Sequence, residues 1–163
     1  MSERIAHFLA SIETGRPLAS DPELLLKDIL SLFDCVSGTI HVLNKTDGML
    51  HIIAHAGIPD FLLPKMAVIP VGKGMAGVAA QRMAPVQICN LQTDESGVVR
   101  PSAKETRVEG AMTAPMILDG RLYGTLGIAK SVPYNFTEQE SEELLRLGEA
   151  IARGGHTWIP QKL

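Results

Sequence analysis

Residues 111–129 read AMTAPMILDGRLYGTLGIA, two strand-forming runs, Ala111–Leu118 and Arg121–Ala129, on either side of Asp119-Gly120. An aspartate-glycine pair supplies the two positive-φ residues of a tight primed turn, so the stretch predicts an antiparallel hairpin. Working outward, Gly38–Leu43 and Met49–Ala54 flank the turn residues Asn44–Gly48 and predict a second hairpin. Two hairpins imply an antiparallel sheet, because parallel strands need long crossovers. Between them the spacing predicts a short strand over Met66–Val71, a helix over Gly74–Met83 and another short strand over Val86–Cys89. The polar stretch Asn90–Glu109 follows, without clear periodicity.

Helices bracket the sheet. Ile5, Phe8, Leu9 and Ile12 recur at helical spacing and make one apolar stripe. Asp21-Pro22-Glu23 is an N-cap, a first-turn proline and an acidic first turn, which predicts a helix through Phe33. Thr137-Glu138-Gln139-Glu140 fits a capping box, and Leu144, Leu147 and Ile151 carry the last helix until Gly154-Gly155 stop it. The chain therefore divides into an N-terminal amphipathic helix and linker (1–20), one domain (21–153) and a tail (154–163).

The 163 residues suit one domain, and 45% hydrophobic with 20% charged residues is a folded protein's composition. A net charge of -3 supplies no positive field for nucleic acid, no apolar run nears the roughly 20 residues a membrane helix needs, and nothing reads as a secretory leader. Two cysteines are no disulfide framework, so the expected location is cytoplasmic.

Gly72-Lys73-Gly74-Met75-Ala76-Gly77 is a literal G-x-G-x-x-G that follows a strand and opens a helix. A dinucleotide fold needs a parallel sheet of crossover units, which two antiparallel hairpins deny. The glycines are expected to allow a sharp strand-to-helix turn and close helix-to-sheet approach, with anion or ligand contact at the helix N-terminus compatible with both. His51 and His55 share a face of one strand but lie about 13 Å apart along it, too far for one metal, and Cys35 and Cys89 lack zinc-ligand spacing. No metal and no cofactor is expected. Mixed charge at Lys104, Glu105, Arg107 and Glu109 reads as solvated loop surface, with Arg107 placed to fork onto an oxyanion over a cavity. The methionines, Met66, Met75, Met83, Met112 and Met116 among them, read as adaptable core filling or as pocket walls.

The order of these motifs, Ile69–Ala79, Pro85–Ile88, Ala114–Ile117, Gly120–Ile128 and Phe136–Glu140, resembles the GAF domain, a small-molecule sensory module, over about Asp21 to Ala152. The resemblance implies a PAS-related α+β fold: a central six-stranded antiparallel sheet, N- and C-terminal helices packed on one face, and a ligand cavity on the other. Small stand-alone members include free-methionine sulfoxide reductases. Ala76 and Lys104 stand where those enzymes have cysteines, and Gly127 and Ala129 where they have carboxylates for the substrate amine. Without a thiolate nucleophile that chemistry has no agent. Lys130, Phe136 and Glu140 are partly similar to the Asn-Lys, Phe, Asp-Glu signature of cyclic-nucleotide-binding members, but Ala129 and Ser141 depart from it; a Lys130–Glu140 ion pair could brace the last strand against the last helix, although the capping box already accounts for Glu140. Cys89 followed by Asn90 does not match a bilin anchor, and no histidine is singled out as a haem ligand.

The reading is a non-enzymatic bacterial-type regulatory module that binds a small molecule or anion and signals through a separate partner such as a kinase. Expected contacts are Met75 and Ala76 at the helix start, Asn90 and Thr93 after the short strand, Arg107 in the loop and Met112 on the next strand. The terminal-helix stripes suggest a homodimer, with packing inside one chain as the alternative. The rival readings are a ligand-free dimerisation or docking module and a methionine sulfoxide reductase-like enzyme.

Overall fold

Asp119 (φ 52°) and Gly120 (φ 75°) both lie in the left-handed region, as a primed two-residue turn requires, and close the hairpin of β5 (Ala111–Leu118) and β6 (Arg121–Ala129). The other hairpin is β1 (Ser37–Leu43) and β2 (Met49–Ala56), whose turn is held by Asn44 Oδ1 accepting from the N–H groups of Thr46 (2.8 Å) and Asp47 (3.3 Å). The computed structural model describes residues 2–13 and 21–154; the predicted punctuation at Gly15 and Pro17, the side chain of Ile12 and the tail from Gly155 lie outside the described residues.

The remaining elements are α1 (Glu3–Glu13), α2 (Pro22–Leu32), a single 3₁₀ turn (Asp60–Leu62) running into α3 (Leu63–Met66), β3 (Val68–Pro70), α4 (Gly74–Arg82), β4 (Val86–Ile88), α5 (Pro101–Lys104) and α6 (Glu138–Gly154). The strands form one antiparallel sheet in the order β3-β2-β1-β6-β5-β4, so the hairpins meet through β1 and β6 at its centre. Met66, read from sequence as the first residue of a strand through Val71, ends α3 instead, and the paired strand is Val68–Pro70.

One face carries the terminal helices. Leu25, Leu26, Ile29 and Leu30 of α2 and Leu144, Leu147 and Ile151 of α6 pack on Ile40, Val42, Met112, Ala114, Met116 and Leu126 of the sheet, and Ile5 and Leu9 of α1 join the same core. Ile5 and Leu9 of the α1 stripe and Leu144, Leu147 and Ile151 of the α6 stripe are thus buried within one chain, while Phe8 is half-buried. The capping box forms as expected: Thr137 Oγ1 accepts from the Glu140 N–H (3.1 Å), and Glu140 Oε1 accepts from the Thr137 N–H (2.9 Å).

Lys130 does not pair with Glu140. Its ammonium, nine-tenths buried, donates to the carbonyl of Phe33 and to that of Asp34 (3.4 Å) and sits 4.5 Å above the Tyr134 ring. The negative end of α2 and an aromatic face hold this charge, while Glu140 accepts from the Tyr134 hydroxyl (2.9 Å).

On the other face, α4 lies over Leu50 and Ile69 through Ala76 and Ala80. The β1–β2 register slips between Ile40 and His41 and leaves Ile53 unpaired, so residues four apart across this bulge no longer share a face. His51 and His55, expected on one face, are separated by it: His51 bonds Asp47 (2.7 Å) and His55 pairs with Glu23 (3.5 Å).

Candidate functional site

The turn into α4 is built from the glycine motif. Gly72 (φ 94°) and Gly74 (φ 65°) take left-handed conformations that reverse the chain after β3, and Gly77 presses on the strand so closely that a Cβ there would stand 2.3 Å from the Pro70 carbonyl oxygen. No side chain caps α4, which leaves its first-turn N–H groups without a side-chain acceptor.

Beneath that helix start lies a cavity of about 120 Å³. Its floor is the sheet, through Thr39 and His41 of β1, Ala111 and Thr113 of β5 and Gly127 and Ala129 of β6; its walls are Met75 and Ala76 of α4 with Ile58 and Met66, and its roof is Val99, Arg100, Ala103, Thr106 and Val108. The roof segment is anchored by Gln92, whose amide nitrogen donates to the carbonyls of Lys104 (3.0 Å) and Val108 (2.8 Å). At the surface, Lys65 faces Glu105 at 3.7 Å and links the 60–66 segment to the roof.

Two polar groups in the lining carry unanswered hydrogen-bonding capacity. His41, 1% exposed, donates from Nε2 to the Met66 carbonyl (2.8 Å), which can only accept, so Nδ1 is left as a bare acceptor without a partner among the described residues. Burial, reinforced by His51 and opposed by the bond to Met66, holds its imidazole below the usual histidine range, so the neutral form is favoured. Arg100 lays its stem against Gly74, where a Cβ would come within 3.0 Å of Arg100 Cδ, and its Nη1 is buried without a partner.

The sequence expectations fall on both sides of this geometry. Met75 and Ala76 line the cavity; Asn90, Thr93, Arg107 and Met112 do not. Asn90 Oδ1 accepts from the Gln92 N–H (3.0 Å) in a turn, and Thr93 is exposed. Arg107, at φ 63°, points to an open surface groove beside Phe61 and Lys104. Met112 packs on the helix side of the sheet, since strand alternation puts it opposite its neighbours Ala111 and Thr113. Arg100 and His41 were missed. A signal for His41 existed, because Thr39 and His41 alternate with the apolar Ile40 and Val42; Arg100 gave none, being one cation in an aperiodic loop.

Neither cysteine lines the cavity. Cys35 is half-buried and burial pushes its thiol up to about 12, whereas Cys89 is exposed. Native protein at pH 8 should therefore titrate one thiol rapidly with a disulfide reagent and the second only on unfolding. Two fast thiols, or none, would contradict this assignment.

The GAF domain family model matches residues 23–154, and the chain belongs to that family. Among curated proteins none matches the sequence. Among solved structures it is similar to the GAF domain of a phosphoenolpyruvate-protein phosphotransferase from Coxiella burnetii (18% identity, 93% of this chain and 90% of that chain, TM-score 0.77). It is also similar to free methionine-R-sulfoxide reductase from Neisseria meningitidis in complex with its substrate (15%, 96% and 93%, TM-score 0.74). A third is a domain from a protein described as a two-component sensor histidine kinase of Sinorhizobium meliloti 1021 (17%, 83% and 90%, TM-score 0.65). At these identities the likeness shows the fold alone. No helix of the described residues is long and apolar enough to cross a membrane.

Proposed function

We propose that this chain is a non-catalytic sensory module that binds a small molecule in the cavity under α4 and reports its occupancy to a separate signalling partner. The observation that carries the reading is the cavity itself: a space of about 120 Å³ that side chains leave open, with orphaned polar groups of Arg100 and His41 in its lining. A ligand-free docking module would be expected to fill such a space and satisfy those groups, because unpartnered buried polar atoms are costly. Likeness to the GAF domain of a phosphoenolpyruvate-protein phosphotransferase and to a domain of a two-component sensor histidine kinase protein supports a regulatory role. Likeness to a sulfoxide reductase does not bring its chemistry, since Ala76, Gly127 and Ala129 stand in the cavity where the resemblance calls for a cysteine and carboxylates, and no thiol lines it. The proposed contacts are Met75 and Ala76 together with His41, Thr113 and Arg100, which take the place of Asn90, Thr93, Arg107 and Met112. A homodimer through the terminal helices has to use their outer faces.

Native mass spectrometry of freshly purified protein, before and after denaturation, tests this directly. A releasable small mass, or a thermal stabilisation by some member of a panel of nucleotides, amino acids and oxyanions, is the expected result. An empty protein that no panel member stabilises would favour the docking module, and the same spectra give the oligomeric mass.

A further inference from the structure

We infer that the cavity is built for a small acid, one oxyanion group plus one hydrogen-bond donor, with the oxyanion held by Arg100 at the start of α4 and the donor by Nδ1 of His41. The inference rests on the sensory reading above and names the ligand class of that site. Charge comes first: the lining contains two cations, Arg100 and Lys65, and no carboxylate, and Lys65 already faces Glu105 at the surface. The Arg100 guanidinium has no hydrogen bond or ion pair with any described residue, and its Nη1 is out of water. A guanidinium in that condition lacks a counter-charge, and its planar fork suits a carboxylate or similar oxyanion. Because its stem rests on Gly74, the guanidinium and the uncapped N–H groups opening α4 belong to the same end of the cavity, and both favour negative charge.

The donor half follows from His41. Its proton is committed to the Met66 carbonyl, so Nδ1 accepts only, and an anion alone would leave it unsatisfied. A ligand hydroxyl or N–H answers it. Size narrows the class further: about 120 Å³ is less than the cavity of about 150 Å³ that takes a benzene ring, which suits a two- to three-carbon acid.

The test uses sodium glycolate, sodium acetate, glycolamide and acetamide as probes on the full chain, read by thermal shift and calorimetry. Glycolate should bind most tightly, acetate more weakly for want of the donor, and the two neutral amides not measurably. Arg100→Met keeps the apolar stem on Gly74 and should weaken glycolate at least tenfold. A second readout needs no variant: in ¹⁵N spectra of the imidazoles, the His41 Nδ1 resonance should move on adding glycolate and stay in place with acetate. Amides that bind as well as the acids, or Arg100→Met binding glycolate unchanged, would overturn the acid assignment and leave the small-molecule reading standing. Silence from all four probes, with a different class of small molecule released in the native spectra or stabilising the protein in the wider panel, would overturn the acid alone; silence with an empty protein that no panel member stabilises would overturn both.

Discussion

Gly77→Ala is expected to lower the unfolding free energy by about 3 kcal/mol or more, equivalent to a fall of roughly 6–12 °C in melting temperature for a chain of this size. The added methyl would meet the Pro70 carbonyl oxygen at 2.3 Å and the Gly72 nitrogen at 3.0 Å. Both are backbone, so no side chain can swing away. Helix α4 cannot simply lift off either, because Ala79 and Ala80 of the same helix are fully buried. Gly48→Ala separates this steric cost from left-handed strain: Gly48 has φ 71° and nothing within 4 Å, so its substitution should cost about 1 kcal/mol. Urea unfolding of the two variants checks the difference. If Gly77→Ala costs no more than Gly48→Ala, the close approach of helix to strand is not what the last glycine of the motif provides.

Lys130→Met should cost about 2–4 kcal/mol, since it keeps most of the stem volume but removes the donor from two carbonyls that close α2 and the cation from the Tyr134 ring. The burial of the Phe33 bond is what raises the cost above that of a surface lysine. Glu140→Gln is the informative companion. A glutamine still accepts from the Thr137 N–H and the Tyr134 hydroxyl, so this change should cost about 0.5 kcal/mol. Denaturation in guanidinium chloride measures both. Equal losses would point back to a Lys130–Glu140 ion pair and against the helix-end role of the lysine.

Local chemistry was legible from the residues alone. Asp119-Gly120 announces its hairpin because few other pairs accept two positive φ angles, and Thr137 with Glu140 announces α6 because that spacing satisfies two orphan donors at once. Such signals act within a few residues and need no knowledge of what lies across the fold. The six-stranded antiparallel sheet with terminal helices on one face agrees with what the GAF resemblance implied.

The site was legible only where it coincided with such a signal. Met75 and Ala76 open a helix that the glycines mark, and both line the cavity. Met112, expected from sequence as an apolar cavity wall, packs on the helix side because its face is set by pairing with β6, where its neighbours Ala111 and Thr113 turn to the cavity. Arg107 was preferred to Arg100 because one exposed-loop arginine looks like another until the chain path is known. The path is decided by distant contacts: Gln92 tying down Lys104 and Val108, and the stem of Arg100 resting on Gly74, where a Cβ would crowd Arg100 Cδ at 3.0 Å. The sequence by itself thus determined the two hairpins, the long helices with their caps and turns, and the family they belong to, since those depend on neighbours along the chain. Tertiary structure alone decided which buried polar groups are left without partners in the cavity, because burial is a property of everything packed around a residue.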